Sequence, residues 1–139
     1  MGLICPERDA LLGLISLIAP AIALGNTVIT IPSESGALVA TDFYQILETS
    51  DIPAGVVNII TGARPNLASE IARHNDVDGI WCAGHRAMTA EIERLSVGNL
   101  KQTWALSGDR NWLDASVGQG TEFLRRATQF KNVWAPYGE

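Results

Sequence analysis

Short apolar runs alternate with segments of helical periodicity along most of this chain. The short runs are rich in β-branched residues and end at turns, which is typical of strands. The longer segments carry apolar residues every three or four positions, which predicts helices. Strands separated by helices predict an α/β fold, a Rossmann-like parallel sheet with helices on both faces. We predict strands at residues 2–5, 27–31, 56–60, 79–83 and 101–106, and helices at residues 7–24, 38–49, 66–74 and 87–97.

The pattern weakens after Ser107. Residues 109–120 are polar and contain glycine, so we predict a loop there, followed by a helix at 121–129 that Thr121 caps. A short terminal strand is predicted at 131–135. The chain therefore divides into an α/β domain at 1–108 and a C-terminal loop, helix and strand at 109–139. We expect this second part to form an interface, because an unpaired edge strand can pair with another chain.

The first predicted helix contains the most apolar stretch of the chain, at residues 11–24. Gly13, Ser16 and Pro20 interrupt this stretch, and it is shorter than the roughly 20 residues that a membrane span needs. We predict a buried helix that Gly25 terminates in the left-handed conformation. Pro20 is expected to bend this helix and could divide it into two pieces.

Composition limits the classes of function. The 139 residues fit one domain, and a net charge of −5 gives no footprint for binding nucleic acid. A hydrophobic content of 47% is high, and either buried parallel strands or a surface for a partner protein would explain it. The two cysteines, Cys5 and Cys82, lie in apolar segments without disulfide or metal spacing, which indicates a reducing, cytoplasmic compartment.

Several segments together resemble the coenzyme-binding half of the aldehyde dehydrogenase superfamily, across roughly residues 2–108. The matching pieces are residues 18–28, 32–34, 53–58, Gly62, 74–78 and 99–101. The resemblance implies a partial coenzyme-binding domain, an NAD(P) cofactor and the oxidation of an aldehyde to a carboxylate. Residues 124–139 look like the end of the two-domain, family-16 type, in which a degenerate copy follows a catalytic region. Family chains also carry a long region before the position of Met1, so the chain looks truncated.

The resemblance places possible NAD(P) contacts at six residues: Pro32, Ser33, Glu34, Gly62, Gly84 and His85. In the family a Lys-Pro-Ser-Glu segment holds the adenine ribose, but the Lys position here is Ile31, which donates no hydrogen bond. Glu34 could bind ribose hydroxyls or cap the following helix. His85 could donate to a phosphate or simply cap its helix. We expect NAD(P) binding to be weak or lost.

The second glycine-rich turn of the family is also altered here. Only Gly62 is kept, and Arg64 and Ala68 replace the other two glycines. These larger residues would keep a nucleotide away from the backbone. Arg64 could offer its charge to a phosphate, although a solvated surface arginine is the commoner case.

The resemblance leaves three catalytic positions empty, so we predict no catalytic residue. Arg8 stands at the oxyanion-binding Asn, Leu106 stands at the general-base Glu, and no cysteine follows Cys82 where the nucleophile would be. Cys5 could act as a substitute nucleophile near a helix N-terminus, or it could be inert packing. No metal site is predicted.

We therefore expect a non-catalytic segment of an aldehyde dehydrogenase-like protein that supports structure or assembly. Its partner would be a second copy or a catalytic aldehyde dehydrogenase domain, with no nucleic acid or membrane involved. An active NAD-dependent fragment and a weak NAD-binding module are the alternatives. Trp81 and Trp104 fall in predicted strands and should pack in the core, whereas Trp112 and Trp134 could lie in an interface.

Overall fold

A five-stranded parallel sheet forms the centre of the protein. The computed structural model describes residues 1–107 and 110–138. The strand order is β3-β2-β1-β4-β5, with every neighbouring pair parallel. The strands are β1 (Gly2–Ile4), β2 (Val28–Ile31), β3 (Val57–Ile59), β4 (Gly79–Gly84) and β5 (Gln102–Ser107). The predicted α/β fold is confirmed, because each of these strands lies within two residues of its predicted position.

Helices cover both faces of the sheet. The apolar side chains of α1, α2 and α6 pack in one cluster, and those of α3 and α4 pack in a second. The helices are α1 (Ala10–Ala23), α2 (Ala37–Glu48), α3 (Arg64–Arg73), α4 (Arg86–Leu95), α5 (Ala115–Gly118) and α6 (Thr121–Arg126), and a 3-10 turn spans Ser96–Gly98. Within the described residues, no helix is both long enough and apolar enough to cross a bilayer.

The central strands divide their side chains between the two clusters. Along β4, Trp81 and Ala83 belong to the cluster with α1, whereas Ile80 and Cys82 belong to the cluster with α3. This alternation follows from the two-residue repeat of a strand. Because both faces are covered, β4 is apolar throughout its buried length. Buried strands therefore account for part of the high hydrophobic content.

Three details of the helices differ from the predictions. Helix α1 is continuous through Pro20 and ends at Ala23. Gly25 follows in the predicted left-handed conformation, with a φ of +83°. The inner face of α1, with Leu14, Leu17 and Ile18, is buried on the sheet, and this packing offsets the hydrogen bond that proline cannot donate. A short helix, α5, lies within the predicted loop. The residue that precedes α6 is Gly120, so Thr121 is its first residue rather than its cap.

Part of the C-terminal segment packs on the same core. Phe123 of α6 is 1% exposed and makes edge-on ring contacts with Trp81 and Trp104, at centroid distances of 6.3 and 5.1 Å. Trp112 is also buried, 6.4 Å from the ring of Phe123. The side-chain amide of Asn26 donates to the backbone oxygen of Ala127 at 2.9 Å. The predicted core positions of Trp81 and Trp104 are confirmed.

The predicted terminal strand at 131–135 is wrong. Residues 131–135 have no strand pairing to any described part of the chain, and their side chains are exposed. The exposed fractions of Val133 and Trp134 are 87% and 91%. A strand requires a hydrogen-bonded neighbour, and an apolar pattern alone does not supply one.

Candidate functional site

A cavity opens at the carboxyl ends of the central strands. The strand order reverses between β1 and β4, and such a switch point is where parallel α/β sheets bind their ligands. The cavity volume is about 440 Å³, within the usual range for small-molecule sites. Its lining comes from the segments that follow β1, β4 and β5 and from α3: Pro6, Glu7, Arg8, Arg64, Ala83, Gly84, His85, Arg86, Leu106, Arg110 and Trp112.

Arg64 occupies the switch point itself. Its Nη2 donates to the backbone oxygen of Cys5 at 2.5 Å and to that of Ala83, so one guanidinium joins the ends of β1 and β4. Its Nη1 lies 3.4 Å from Oε1 of Glu7. Among the described residues, no hydrogen-bond partner reaches its buried Nε. The predicted solvated surface arginine is therefore wrong, because the Arg64 residue is only 6% exposed.

This role of Arg64 is hard to predict from the amino-acid sequence. The carbonyl groups that hold it are 59 and 19 residues away, so no local pattern encodes the contact. The one available signal was that Arg64 begins helix α3, two residues after Gly62 and close to the carboxyl end of β3. Carboxyl ends of parallel strands meet at one edge of a sheet, so a long side chain there can reach its neighbours.

A second cavity, of about 320 Å³, holds four of the six predicted cofactor residues. Pro32, Ser33, Glu34 and Gly62 line it between the ends of β2 and β3. Glu34 does not cap α2, because no side chain of the described residues makes a cap hydrogen bond at the start of that helix. The N–H of Gly36 donates to the hydroxyl of Ser33 at 2.9 Å. Instead, Oε1 of Glu34 accepts the backbone N–H of Arg64 at 2.9 Å. This carboxylate therefore holds the first turn of α3, where the helix dipole favours a negative charge.

The other two predicted cofactor residues, Gly84 and His85, line the switch-point cavity. Nδ1 of His85 accepts the N–H of Met88 at 3.2 Å, which makes His85 the cap of α4. The capping alternative is confirmed. A Cβ at Gly84 would lie 3.1 Å from the sulfur of Met88, so this glycine leaves room for the Met88 side chain.

Neither cysteine is placed to act as a nucleophile. Cys5 and Cys82 are free thiols, and both are buried in the sheet. Burial raises the pKa of Cys5 to about 12 and that of Cys82 to about 11, although the charge of Arg64 opposes both shifts. The thiolate is the reactive form of cysteine. Cys5 therefore fits the expectation of inert packing rather than that of a substitute nucleophile.

The positions that the resemblance assigns to catalysis do meet in space. Arg8 and Leu106 both line the switch-point cavity, together with Arg64. The side chain of Leu106 is buried and has no proton to exchange. Glu7 is the one carboxylate among the described lining residues, and Arg64 pairs with it. Across 1–107 and 110–138, no three His, Cys, Asp or Glu residues are grouped closely enough to hold a metal.

A parallel sheet with helices on both faces and cavities at its carboxyl edge defines a domain of the nucleotide-binding α/β class. The model of the aldehyde dehydrogenase family matches residues 2–113. The chain therefore belongs to the aldehyde dehydrogenase family.

Relatives and solved structures agree with this assignment. The chain is 36% identical over 110 residues to the 2-aminomuconic semialdehyde dehydrogenase of Mus musculus, covering 79% of this chain and 23% of that protein. It is 37% identical over 99 residues to a hydroxyisobutyraldehyde dehydrogenase of Mycolicibacterium austroafricanum, covering 71% and 20%. A mutant aldehyde dehydrogenase C of Pseudomonas syringae, complexed with NAD⁺ and octanal, superposes with a TM-score of 0.75 at 31% identity, covering 79% and 23%. The chain thus spans 20–23% of the length of these proteins.

The described residues fit a dinucleotide only in part. The cavity beside Glu34 retains a carboxylate that can accept ribose hydroxyl groups. Ile31, however, is a buried aliphatic side chain where the family uses a lysine. Arg64 fills the space between the ends of β1 and β4 that glycines would leave open to a ligand. The cavity beside Glu34 therefore keeps one of the groups that the resemblance assigns to the adenosine end of NAD(P), and Ile31 and Arg64 depart from the family's pattern.

Proposed function

We propose that this chain is a non-catalytic segment of an aldehyde dehydrogenase-like protein, which supports its structure or its assembly with a catalytic region. The degenerate C-terminal copy of a two-domain, family-16 protein is the specific form that we favour. The observation that carries the proposal is the burial of both thiols, because the family reaction starts with a thiolate attacking the aldehyde carbonyl.

The residues of the switch-point cavity support the same proposal. The reaction needs a donor for the developing oxyanion and a carboxylate that activates water. The matching positions carry Arg8 and Leu106, and the nearby carboxylate of Glu7 is paired with Arg64. Leucine cannot accept a proton, so water activation has no group at that position. The absence of suitable groups for several separate catalytic roles supports a non-catalytic segment more strongly than a single substitution would.

Measurement of NADH formation tests the absence of catalysis. The purified chain is mixed with NAD⁺ and a simple aldehyde, and absorbance at the NADH band is followed against a full-length family enzyme. We expect no steady production of NADH. Sustained turnover that disappears in Cys5→Ala or Cys82→Ala, with the other cysteine variant as its control, would contradict the proposal.

Binding of NAD(P) is proposed to be weak or absent. The arrangement of Ile31 and Arg64 disfavours the dinucleotide, whereas the cavity with Glu34 favours the alternative of a weak NAD-binding module. Calorimetry with NAD⁺ separates the two, with Glu34→Gln as the matched variant. We expect a dissociation constant in the millimolar range or no signal. Micromolar binding that Glu34→Gln weakens would favour the binding module.

The exposed C-terminal tail supports a role in assembly. Phe130, Val133, Trp134 and Tyr137 are between 83% and 103% exposed, and such apolar exposure is typical of contact surfaces. The partner would be a second copy or a catalytic aldehyde dehydrogenase domain in the cytoplasm, where free thiols persist. Sedimentation velocity of the chain alone and with a catalytic domain tests this, with Trp134→Ser as a variant. If the chain stays monomeric at high micromolar concentration and does not bind the catalytic domain, the proposed role in assembly is refuted.

A further inference from the structure

We propose that the hydroxyl group of Tyr44 closes the outer edge of the sheet, at β3, against pairing with the β3 edge of a second copy of this chain. This inference does not depend on the proposed role of the tail in assembly. Strand β3 stands at the end of the strand order, and its neighbour within the described residues is β2. An edge strand presents unpaired backbone groups, which can pair with another chain.

The hydrogen bonds between β2 and β3 identify the backbone groups that face outward. The N–H of Ile60, just after β3, donates to the oxygen of Thr30 in β2 at 2.9 Å. In a parallel pair, alternate residues of a strand direct their backbone groups towards the neighbour. Val57 and Ile59 therefore direct their N–H and C=O groups away from β2. A strand added at this edge would have to bond to both residues.

Tyr44 of α2 occupies the outward groups of Ile59. The N–H of Ile59 donates to the Tyr44 hydroxyl at 2.5 Å. The hydroxyl in turn donates to the oxygen of the same residue across a longer distance of 3.4 Å. One side chain thus takes the donor and the acceptor that an added strand would use at Ile59. Val57 remains, and pairing through a single residue does not make a strand.

The rest of this edge lacks the usual protection. The three residues of β3, Val57–Ile59, include neither a lysine nor a proline, which commonly prevent pairing at edge strands. The side chains of Ile46 and Ile60 are exposed nearby. A cavity of about 410 Å³, lined in part by Tyr44, Leu47 and Val57, opens beside the strand. An exposed apolar edge of this kind favours self-association, so its closure depends on Tyr44.

A second copy is the partner that this closure would exclude. Every copy presents the same β3 edge, and two identical edges can pair about a twofold axis. The Tyr44 ring is held in place for this role, because it packs on the same core cluster as Ile59 and the buried Leu47. The hydroxyl therefore reaches the edge from a fixed position on α2.

Hydrogen exchange of single amides, followed by NMR, tests the hydrogen bond. In Tyr44→Phe, which removes the hydroxyl alone, the amide of Ile59 should exchange about fivefold faster, because it loses one hydrogen bond. The amide of Ile60, bonded to Thr30, should change by less than about twofold. Tyr137→Phe is the matched control, because that side chain is fully exposed and its hydroxyl should affect neither amide.

Sedimentation velocity tests the closure. In Tyr44→Leu the side chain stays apolar but is too short to reach the edge, and the variant should associate at a concentration about tenfold below that of the wild type. Adding Ile60→Lys places a charge at the opened edge and should reverse this association. Adding Trp134→Ser instead should leave it unchanged, which separates it from association through the tail. Circular dichroism checks that each variant is folded.

Three results would overturn the proposal. The first is an equal exchange rate of the Ile59 amide in the wild type and Tyr44→Phe. The second is a folded Tyr44→Leu that sediments like the wild type, and the third is association of Tyr44→Leu that Ile60→Lys does not suppress. If Tyr44→Leu does not fold, Tyr44→Phe takes its place in the sedimentation comparison, with the same outcomes.

Discussion

Replacement of Phe123 with alanine measures how much the packing of the C-terminal segment on the core contributes to the free energy of unfolding. The Phe123 ring is 1% exposed and contacts three tryptophans edge-on or at a tilt. Truncation of a buried phenylalanine costs about 3–5 kcal/mol, through lost burial and the cavity left behind. The rigid indole rings of Trp81 and Trp104 limit collapse of that cavity, so we expect about 4 kcal/mol. This loss is large, because small domains unfold at a total cost of about 5–15 kcal/mol.

Urea denaturation followed by tryptophan fluorescence provides the measurement. With a slope of about 2 kcal/mol per molar urea, the midpoint should fall by about 2 M. Phe130→Ala is the matched control, since that phenylalanine is 83% exposed and its loss should change the unfolding free energy by less than about 0.5 kcal/mol. A loss below about 1 kcal/mol for Phe123→Ala would refute the packing of α6 on the sheet.

Two further predictions concern the sheet and α1. Because burial raises the pKa of both thiols, the folded state keeps their protons while the unfolded state releases them. The free energy of unfolding should therefore fall as pH rises from about 9 towards 11, by about 1.4 kcal/mol per pH unit and thiol. Urea titrations at each pH measure this fall, and in Cys82→Ala it should be smaller by the contribution of one thiol. If the unfolding free energy of Cys82→Ala falls with pH as steeply as that of the wild type, the dependence does not come from the buried thiol of Cys82. In Gly13→Ala, the new Cβ would lie 2.2 Å from Cγ of Pro6, so we expect a loss of about 1–3 kcal/mol. Gly98→Ala, with nothing within 4 Å, is the control, and equal urea midpoints would contradict the expected clash.

The sheet was predictable because the sequence pattern that marks each strand lies within that strand and the turns beside it. The strands β2 and β4 are short apolar runs with turns around them, and helices of ordinary length connect each strand to the next. Periodicity alone therefore gave the parallel α/β fold. Helix α1 shows the limit of a local rule, because Pro20 lowers helix propensity but the packed face beside it keeps the helix continuous.

The site was less predictable because it depends on contacts between distant segments. The predicted residues Glu34 and Gly62 do line one cavity, and Gly84 and His85 line the other. The role of Arg64 was missed because its partners come from β1 and β4. The tail was mispredicted for the converse reason: residues 131–135 have the composition of a strand, but pairing needs a neighbour that composition does not specify.

The direction of β1 has a practical consequence for experiments with this protein. All five strands are parallel, so the two cavities described above lie at the carboxyl ends of the strands. Met1 lies at the opposite, amino ends of the strands. The ammonium group of Met1 donates to the oxygen of Thr27, just before β2 begins. An affinity tag or a fused domain joined at Met1 would leave the sheet on the side away from both cavities. Immobilisation through such a tag should keep the arginine-lined cavity accessible to soluble ligands.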